Sequence, residues 1–480
     1  MASPLPDADA ARITRRTVIA ALACVVVLAA AGVHLWMRRP QLEPIEVSQQ
    51  TTYIITPTRA DGWVDYREAV DWMRRASLDA GGANAALPLL KALGTDVLPI
   101  GVDRGALLVR LGVTDAGGDA AAMKPLKDFD GGAAPVSHSG HEPSQAALDW
   151  LRARCPADAQ KPPSLARVLA WLAQFDGALG ELRKAAKGAS LYVPVPRDAN
   201  AAGDFDRVNP IRVAQAADAL GCRAAVKLLL GDAAASWDDA ETLWRLGQLL
   251  ARAATTGEYA VAASFWKTAM TATVDLAASP VTTPEQLSAI QAGLGAKLGF
   301  APATETWMFQ RLAALDANGT PLVPFRPGAR GSGPLARIGT GAKLTAINQD
   351  FDAVDVALQT PDPKQRIARV EQATSPAAAP GGGVARSMLA AEIEAVSRHR
   401  LASLAVTLAR RQRDGGKPPA SLAELQNAPK DPGSGGPFSY VADGAGFRLY
   451  GVGGDGNDDR GDPTRDVVAV AHEPPRIAAP

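Results

Sequence analysis

Three consecutive alanine-rich segments restrict this chain most. They are IRVAQAADALGCRAAVKLLL (211–230), WDDAETLWRLGQLLARAA (237–254) and EYAVAASFWKTAMTATVDLAA (258–278). Apolar residues recur in them at helical spacing, and alanine is the strongest helix former. Small residues stand close together in the last two segments, and only the short TTG break, 255–257, separates them. That pattern predicts an antiparallel helical hairpin of the kind found in helical repeat proteins. No strict period repeats, so no named repeat is assigned. The expected fold class is mainly α.

Charge excludes one class of function. Fifty basic residues balance fifty acidic ones, which leaves no net basic field for nucleic acid. A length of 480 residues predicts about two to four domains. The three cysteines, Cys24, Cys155 and Cys222, form no CxxC, so zinc ribbons and thioredoxin-type redox motifs are excluded. Cys155 and Cys222 either pair, in an oxidising compartment, or stay separate buried thiols.

The amino terminus predicts topology. Val18 to Met37 is uncharged and mostly apolar, flanked by Arg15–Arg16 and Arg38–Arg39. Such a run is long enough to span a bilayer. The reading is a cytoplasmic tail at 1–16, an uncleaved single-pass signal-anchor helix at 17–37 and a linker at 38–60. The remainder then lies outside the cytoplasmic membrane, in the periplasm, with the membrane as one partner. Ala29–Ala31 offers the competing reading of a cleaved signal peptide.

Residues 61–373 read as a helical domain. In DGWVDYREAVDWMRRA, Trp63, Tyr66, Val70 and Met73 fall at helical spacing and predict one buried face. LYVPVP (191–196) reads as extended. Residues 112–146 and 316–341 read as long loops. TSPAAAPGGG (374–383) reads as a flexible linker before a last unit, 384–480, which opens with a long helix.

No constellation in the helical domain specifies catalysis. His138, His141 and Glu142 sit in a low-complexity loop without zinc-protease spacing. Ser264 and Lys267 match SxxK, the nucleophile motif of penicillin-recognising enzymes, but no KTG or SDN partner accompanies them. GARGSGP (328–334) lacks the Lys-Ser/Thr end of a phosphate loop. Asp350, Asp352 and Asp355 read as one polar helix face or cap.

The last unit reads as helix, proline turn, short helix and three short strands. FSYVA and FRLYGV would form a hairpin, and DVVAVA the third strand. Asp431-Pro432, Gly436-Pro437-Phe438, Tyr440, Tyr450, Gly453, Asp455-Gly456 and Asp466-Val467 occur in order over about residues 400–470. On these residues the unit resembles the carboxy-terminal half of the major pseudopilins of type II secretion, a small α+β fold. The resemblance implies a calcium-binding acidic loop, with Asp455 as leading ligand and Asp466 as the closing acid. Asp459-Arg460 stands where that family has a glycine pair. The anchor lies hundreds of residues upstream with no prepilin peptidase site, so polymerisation into a pseudopilus is not expected.

The residues themselves permit a cation as well. Asp455, Asn457 and Asp459 alternate, and Asp462 adds a fourth oxygen donor. Calcium takes six to eight such ligands. The competing reading is a solvated turn closed by Asx hydrogen bonds. DGWVDYREAVDW and GANAALPLLKALG, with the helical hairpins and this tail, also resemble a family of uncharacterised bacterial membrane-anchored proteins. That family brings no known activity with it. The leading expectation is a non-enzymatic function: a helical, protein-binding domain with an unknown protein partner, and a C-terminal module that calcium could stabilise. Two alternatives stand beside it, an envelope hydrolase with its site in the helical domain and an accessory component of a secretion system.

Overall fold

The structure is a computed structural model. It describes residues 47–60, 62–79, 81–100, 102–113, 123, 126, 144–155, 164–197, 205–295, 298–319, 341–374, 382–443, 446–472 and 474. The chain is mainly helical, with a small three-stranded antiparallel sheet at its C-terminal end. In order, the helices are α1 (Gln49–Thr52), α2 (Tyr66–Asp79), α3 (Ala86–Leu93), α4 (Arg104–Arg110), α5 (Gln145–Arg152), α6 (Leu165–Gln174) and α7 (Asp176–Ala185). There follow α8 (Pro210–Leu229), α9 (Ala233–Ala251), α10 (Thr256–Ala278), α11 (Pro284–Gly295), α12 (Ala303–Gly319), α13 (Gly341–Leu358), α14 (Pro363–Ala373) and α15 (Gly382–Arg413).

The three alanine-rich segments become α8, α9 and α10, and local chemistry sets where each begins. Asn209 caps α8 through the amide of Ile211, with Pro210 in the first turn, where its missing N–H costs nothing. Asp232 caps α9. Thr255 and Glu258 form a reciprocal capping box on α10. Connections this short force neighbouring helices antiparallel, so α8 and α10 run in the same direction, packed on each other as well as on α9. Alanine and glycine let them approach closely. A Cβ on Gly247 would lie 2.4 Å from the Trp266 ring, and one on Gly221 would lie 2.4 Å from the Thr268 methyl.

α15 lies along α10, and both carry the sheet, so one hydrophobic core runs from α3 through to the last strand. Phe265, Trp266 and Trp244 are buried at its centre. β1 (Ser439–Asp443) pairs antiparallel with β2 (Gly446–Gly451), and β2 with β3 (Val467–Ala471), in the order β1-β2-β3. The strands alternate, so Phe447, Leu449, Val467, Ala469 and Ala471 face the core. The expected short helix between α15 and β1 is a single 3-10 turn, Leu422–Glu424.

A second core holds the N-terminal part, where Trp63, Tyr66 and Val70 pack on Phe309, Leu312 and Leu344. Met73, expected on that face, points outward with 37% exposure. The face follows the i+4 step 66–70–74, so Arg74 is buried instead. Its guanidinium donates to the carbonyls of Phe205 and Ala253. The extended strip 191–196 is clamped in turn: Asp71 accepts the Val195 amide at 2.7 Å, and Arg110 donates to the Val195 carbonyl.

Membrane topology requires a correction. Among the described residues no helix is long and apolar enough to cross a membrane. The longest, α15, carries Arg386, Glu392, Glu394, Arg398 and Arg400 along its length. This overturns the expected single-pass transmembrane, signal-anchor protein with a periplasmic body. Residues 17–37, on which that expectation rested, lie outside the described residues.

Candidate functional site

A groove with charged walls, about 360 Å³ in volume, lies between α8 and α10. α8 lines it with Asp218, Gly221, Ala224, Ala225 and Leu228. These stand one helical turn apart, mostly small, so the wall is recessed. α10 lines it with Ser264, Lys267, Thr268, Thr271, Ala272 and Asp275, a polar stripe of the same pitch. Gly221 against Thr268 sets the register of the two parallel helices. Asp218, Ser264 and Lys267 therefore share one end, and Leu228 and Asp275 the other. Ser236, in the first turns of α9, contributes to that second end.

The third wall comes from the end of α5. The Cys155–Cys222 disulfide, across a sequence separation of 67, ties this end to α8 beside Gly221. Arg154 forks onto the Asp275 carboxylate and lies 4.0 Å above the Trp150 ring. Burial raises the Asp275 carboxyl pKa, against the lowering effect of Arg154.

Two features distinguish this groove from ordinary packing. Ser236 is 1% exposed, yet among the described residues its Oγ has no hydrogen-bond partner. A buried hydroxyl without a partner costs about 1–3 kcal/mol, so the groove presents an unmet polar demand. Asp218 and Lys267 are both exposed at the open end, and no ion pair joins them among the described residues. Solvent reaches Asp218, but the walls around it still push its carboxyl pKa upward.

The serine and lysine of SxxK thus both line the groove, and no hydrogen bond joins their side chains among the described residues. Ser264 sits in the middle of α10, exposed, and its Oγ donates to the Val261 carbonyl at 2.7 Å. Asp352 pairs with Arg311 on α12, and Asp355 accepts from Gln359, as expected of a polar helix face. His138, His141, Glu142 and residues 328–334 lie outside the described residues.

The acidic loop between β2 and β3 is closed largely by its own amides. Asp455 accepts the Asn457 amide at 3.0 Å, and Asp462 accepts both the amide and the hydroxyl of Thr464. Asp466, 5% exposed, accepts the Asp459 amide at 3.4 Å and the Gly461 amide at 2.6 Å. Asp459 pairs with Arg465 through one oxygen. Among the described residues no group of three or more His, Cys, Asp or Glu is placed to hold a metal ion. The DP-G turn upstream has a sharper role. The buried Asp431 carboxylate collects the amides of Gly433, Ser434 and Val452 and the hydroxyls of Ser434 and Ser397.

Compared with protein-family models, curated proteins and solved structures, the chain matches none.

Proposed function

We propose that this protein is a non-catalytic binding protein whose recognition site is the groove between α8 and α10. The observation that carries this reading is the Ser236 hydroxyl, buried and without a hydrogen-bond partner among the described residues, in a cavity with charged walls. A polar ligand atom that meets this hydroxyl would remove the desolvation cost. The cavity falls within the size range of small-ligand sites, near its lower end. A hydrolase is less well supported, because Ser264 already donates to its own helix backbone.

The C-terminal unit is proposed as a pseudopilin-like module. What supports this is the order of α15, the buried Asp431 turn and the three-stranded antiparallel sheet. Here the module is packed on α10, so it would serve as part of the scaffold behind the groove.

Thermal shift against a panel of small polar compounds tests the groove. A compound that binds only the folded chain raises its melting temperature by mass action. Thr271→Trp, which fills the groove from a partly exposed position, should abolish every such shift while the variant still melts cooperatively. Shifts that persist in Thr271→Trp would place binding elsewhere.

A further inference from the structure

Hydrogen-bond polarity narrows what the groove can hold, and this inference rests on the reading above. The hydroxyls of Ser264, Thr268 and Thr271 donate to the carbonyls of Val261, Ser264 and Lys267 on their own helix. A hydroxyl has one proton, so each of these oxygens has only lone pairs left for a ligand. The α10 wall is therefore a row of acceptors. Asp218 extends the row at the open end with a carboxylate. Burial raises its pKa, and no cation among the described residues offsets that rise. Arg154 and Asp275 are taken up by each other and close the far end as a neutral pair. A ligand for this wall must therefore donate, with a cation at Asp218 and N–H or O–H groups along the hydroxyl row. Further positive charge would meet Lys267 and Arg154, which border the same groove.

Length places a second demand on that ligand. From Asp218 to Leu228, α8 rises about 15 Å at 1.5 Å per residue, and the Ser236 hydroxyl lies toward the far end. At about 3.3 Å per residue, an extended peptide covers that stretch with about five residues. Ser264 and Thr268 stand about 6 Å apart along α10, close to the ~6.6 Å between amides on one side of an extended chain. Gly221, Ala224 and Ala225 recess the opposite wall, which leaves width for a backbone and small side chains. The Ser236 Oγ, buried and without a hydrogen-bond partner among the described residues, is left for the far end of the chain.

We propose that the groove binds the amino-terminal segment of an extended peptide. The free ammonium lies at Asp218, the backbone amides donate to the hydroxyl oxygens of Ser264, Thr268 and Thr271, and the far end of the segment meets Ser236. A single positive charge with neutral donors behind it answers the acceptor row without crowding Lys267 and Arg154. No covalent step is involved.

The test mixes the full chain with randomised pentapeptides that carry free amino termini and carboxamide ends. Peptides that co-elute with the protein in gel filtration are identified by mass spectrometry, and the best is titrated by calorimetry. Some should be retained. The N-acetylated form of the best should bind about tenfold more weakly or worse, because the charge-assisted contact to Asp218 is lost. Asp218→Asn, an exposed change that leaves the core alone, should weaken the free peptide by a similar factor and leave the acetylated one unchanged. A merely structural role for Asp218 would weaken both alike. Ser236→Ala should also weaken the pentapeptide. An acetylated peptide that binds as well as the free one would overturn the proposal. So would spermidine binding more tightly than every pentapeptide, or peptide retention that survives Thr271→Trp. If no pentapeptide is retained while small polar compounds bind and are lost in Thr271→Trp, this inference falls alone. If neither peptides nor small compounds bind, the groove reading falls with it.

Discussion

Arg207 Nη2 lies 2.9 Å from Glu258 Oε2, with both side chains out of contact with solvent. The pair joins two helix ends. Arg207 donates to the carbonyls of Leu250 and Arg252, which end α9, and Glu258 accepts the amide of Thr255, which opens α10. Glu258 also accepts the amides of Arg207 and Val208, so the loop before α8 enters the same knot. Arg74 stands close by, its pKa brought down to about 10 by burial first and by Arg207 second.

Removing one charge of this pair should be far worse than removing both. Glu258→Gln leaves Arg207 charged and buried, and should cost about 3–5 kcal/mol in urea unfolding. Arg207→Met combined with Glu258→Leu should cost less than the sum of its parts. Burial opposes the Glu258 charge, but Arg207, Arg74 and the hydrogen bonds hold its carboxyl below the ordinary value. Its folded pKa is thus depressed. The stability it contributes is complete above its unfolded pKa and lost as pH falls through the folded one.

A second pH effect is expected nearer neutrality. His399 is wedged against Trp244 and Trp266, and its Nε2 lies 3.0 Å from the Leu294 carbonyl. Nε2 carries the proton in the neutral ring and donates there. Burial lowers the imidazole pKa, and Arg400 lowers it further, against that hydrogen bond. The His399 contribution is therefore complete above the ordinary imidazole value of 6.5 and declines as pH falls from there toward the folded pKa. Melting temperature should drop between about pH 7.5 and about pH 5, and His399→Phe should flatten that part of the profile. An unchanged slope in the variant would assign the effect to another group.

The disulfide should matter to both stability and the groove. Closing a loop of this length restricts the unfolded chain by about 4 kcal/mol in the chain-entropy account. Cys155→Ala with Cys222→Ala should lower the denaturant midpoint accordingly, and reductant should reproduce the change in the parent chain. Because Arg154 adjoins the bridge, the double variant should also weaken any groove ligand. A loss of stability with full retention of binding would show that the Arg154–Asp275 pair alone holds this wall.

Helix existence was readable because 3.6-residue spacing and capping residues are local. Asn209, Asp232 and Thr255 stand where sequence logic puts them. The strands of the last unit were readable for the same reason, through alternation and glycine turns. The burial of Arg74 and Arg207 was not, since an arginine is usually solvated, and only distant carbonyls from 205, 250 and 253 show otherwise. The groove was half legible. SxxK singled out Ser264 and Lys267, but Asp218, Ser236 and Arg154 come from three other segments and share no motif. The pairing of Cys155 with Cys222 was left open by spacing and is decided by where α5 meets α8.

The acidic loop offers the sharpest contrast between charge and geometry. Asp455, Asn457, Asp459, Asp462 and Asp466 read as a ligand set, yet Asp466 is committed to amides on the opposite side of the loop. Arg460 and Gly461 both adopt positive φ there, 59° and 77°, a conformation L residues other than glycine avoid. The two bonds to Asp466 hold that strained corner. Asp466→Asn keeps the shape but turns one acceptor into a donor facing an N–H. It should cost about 1–3 kcal/mol by thermal or urea unfolding. Arg460→Gly should stabilise by up to about 1 kcal/mol by relieving the backbone. Arg465 occupies Asp459 Oδ1 and leaves Oδ2 buried without a hydrogen-bond partner among the described residues, so calcium at that carboxylate would share it with a guanidinium. Titration of the full chain with calcium should therefore leave the melting temperature of the parent unchanged. A calcium-dependent rise that Asp455→Ala abolishes would show instead that the loop rearranges around the ion.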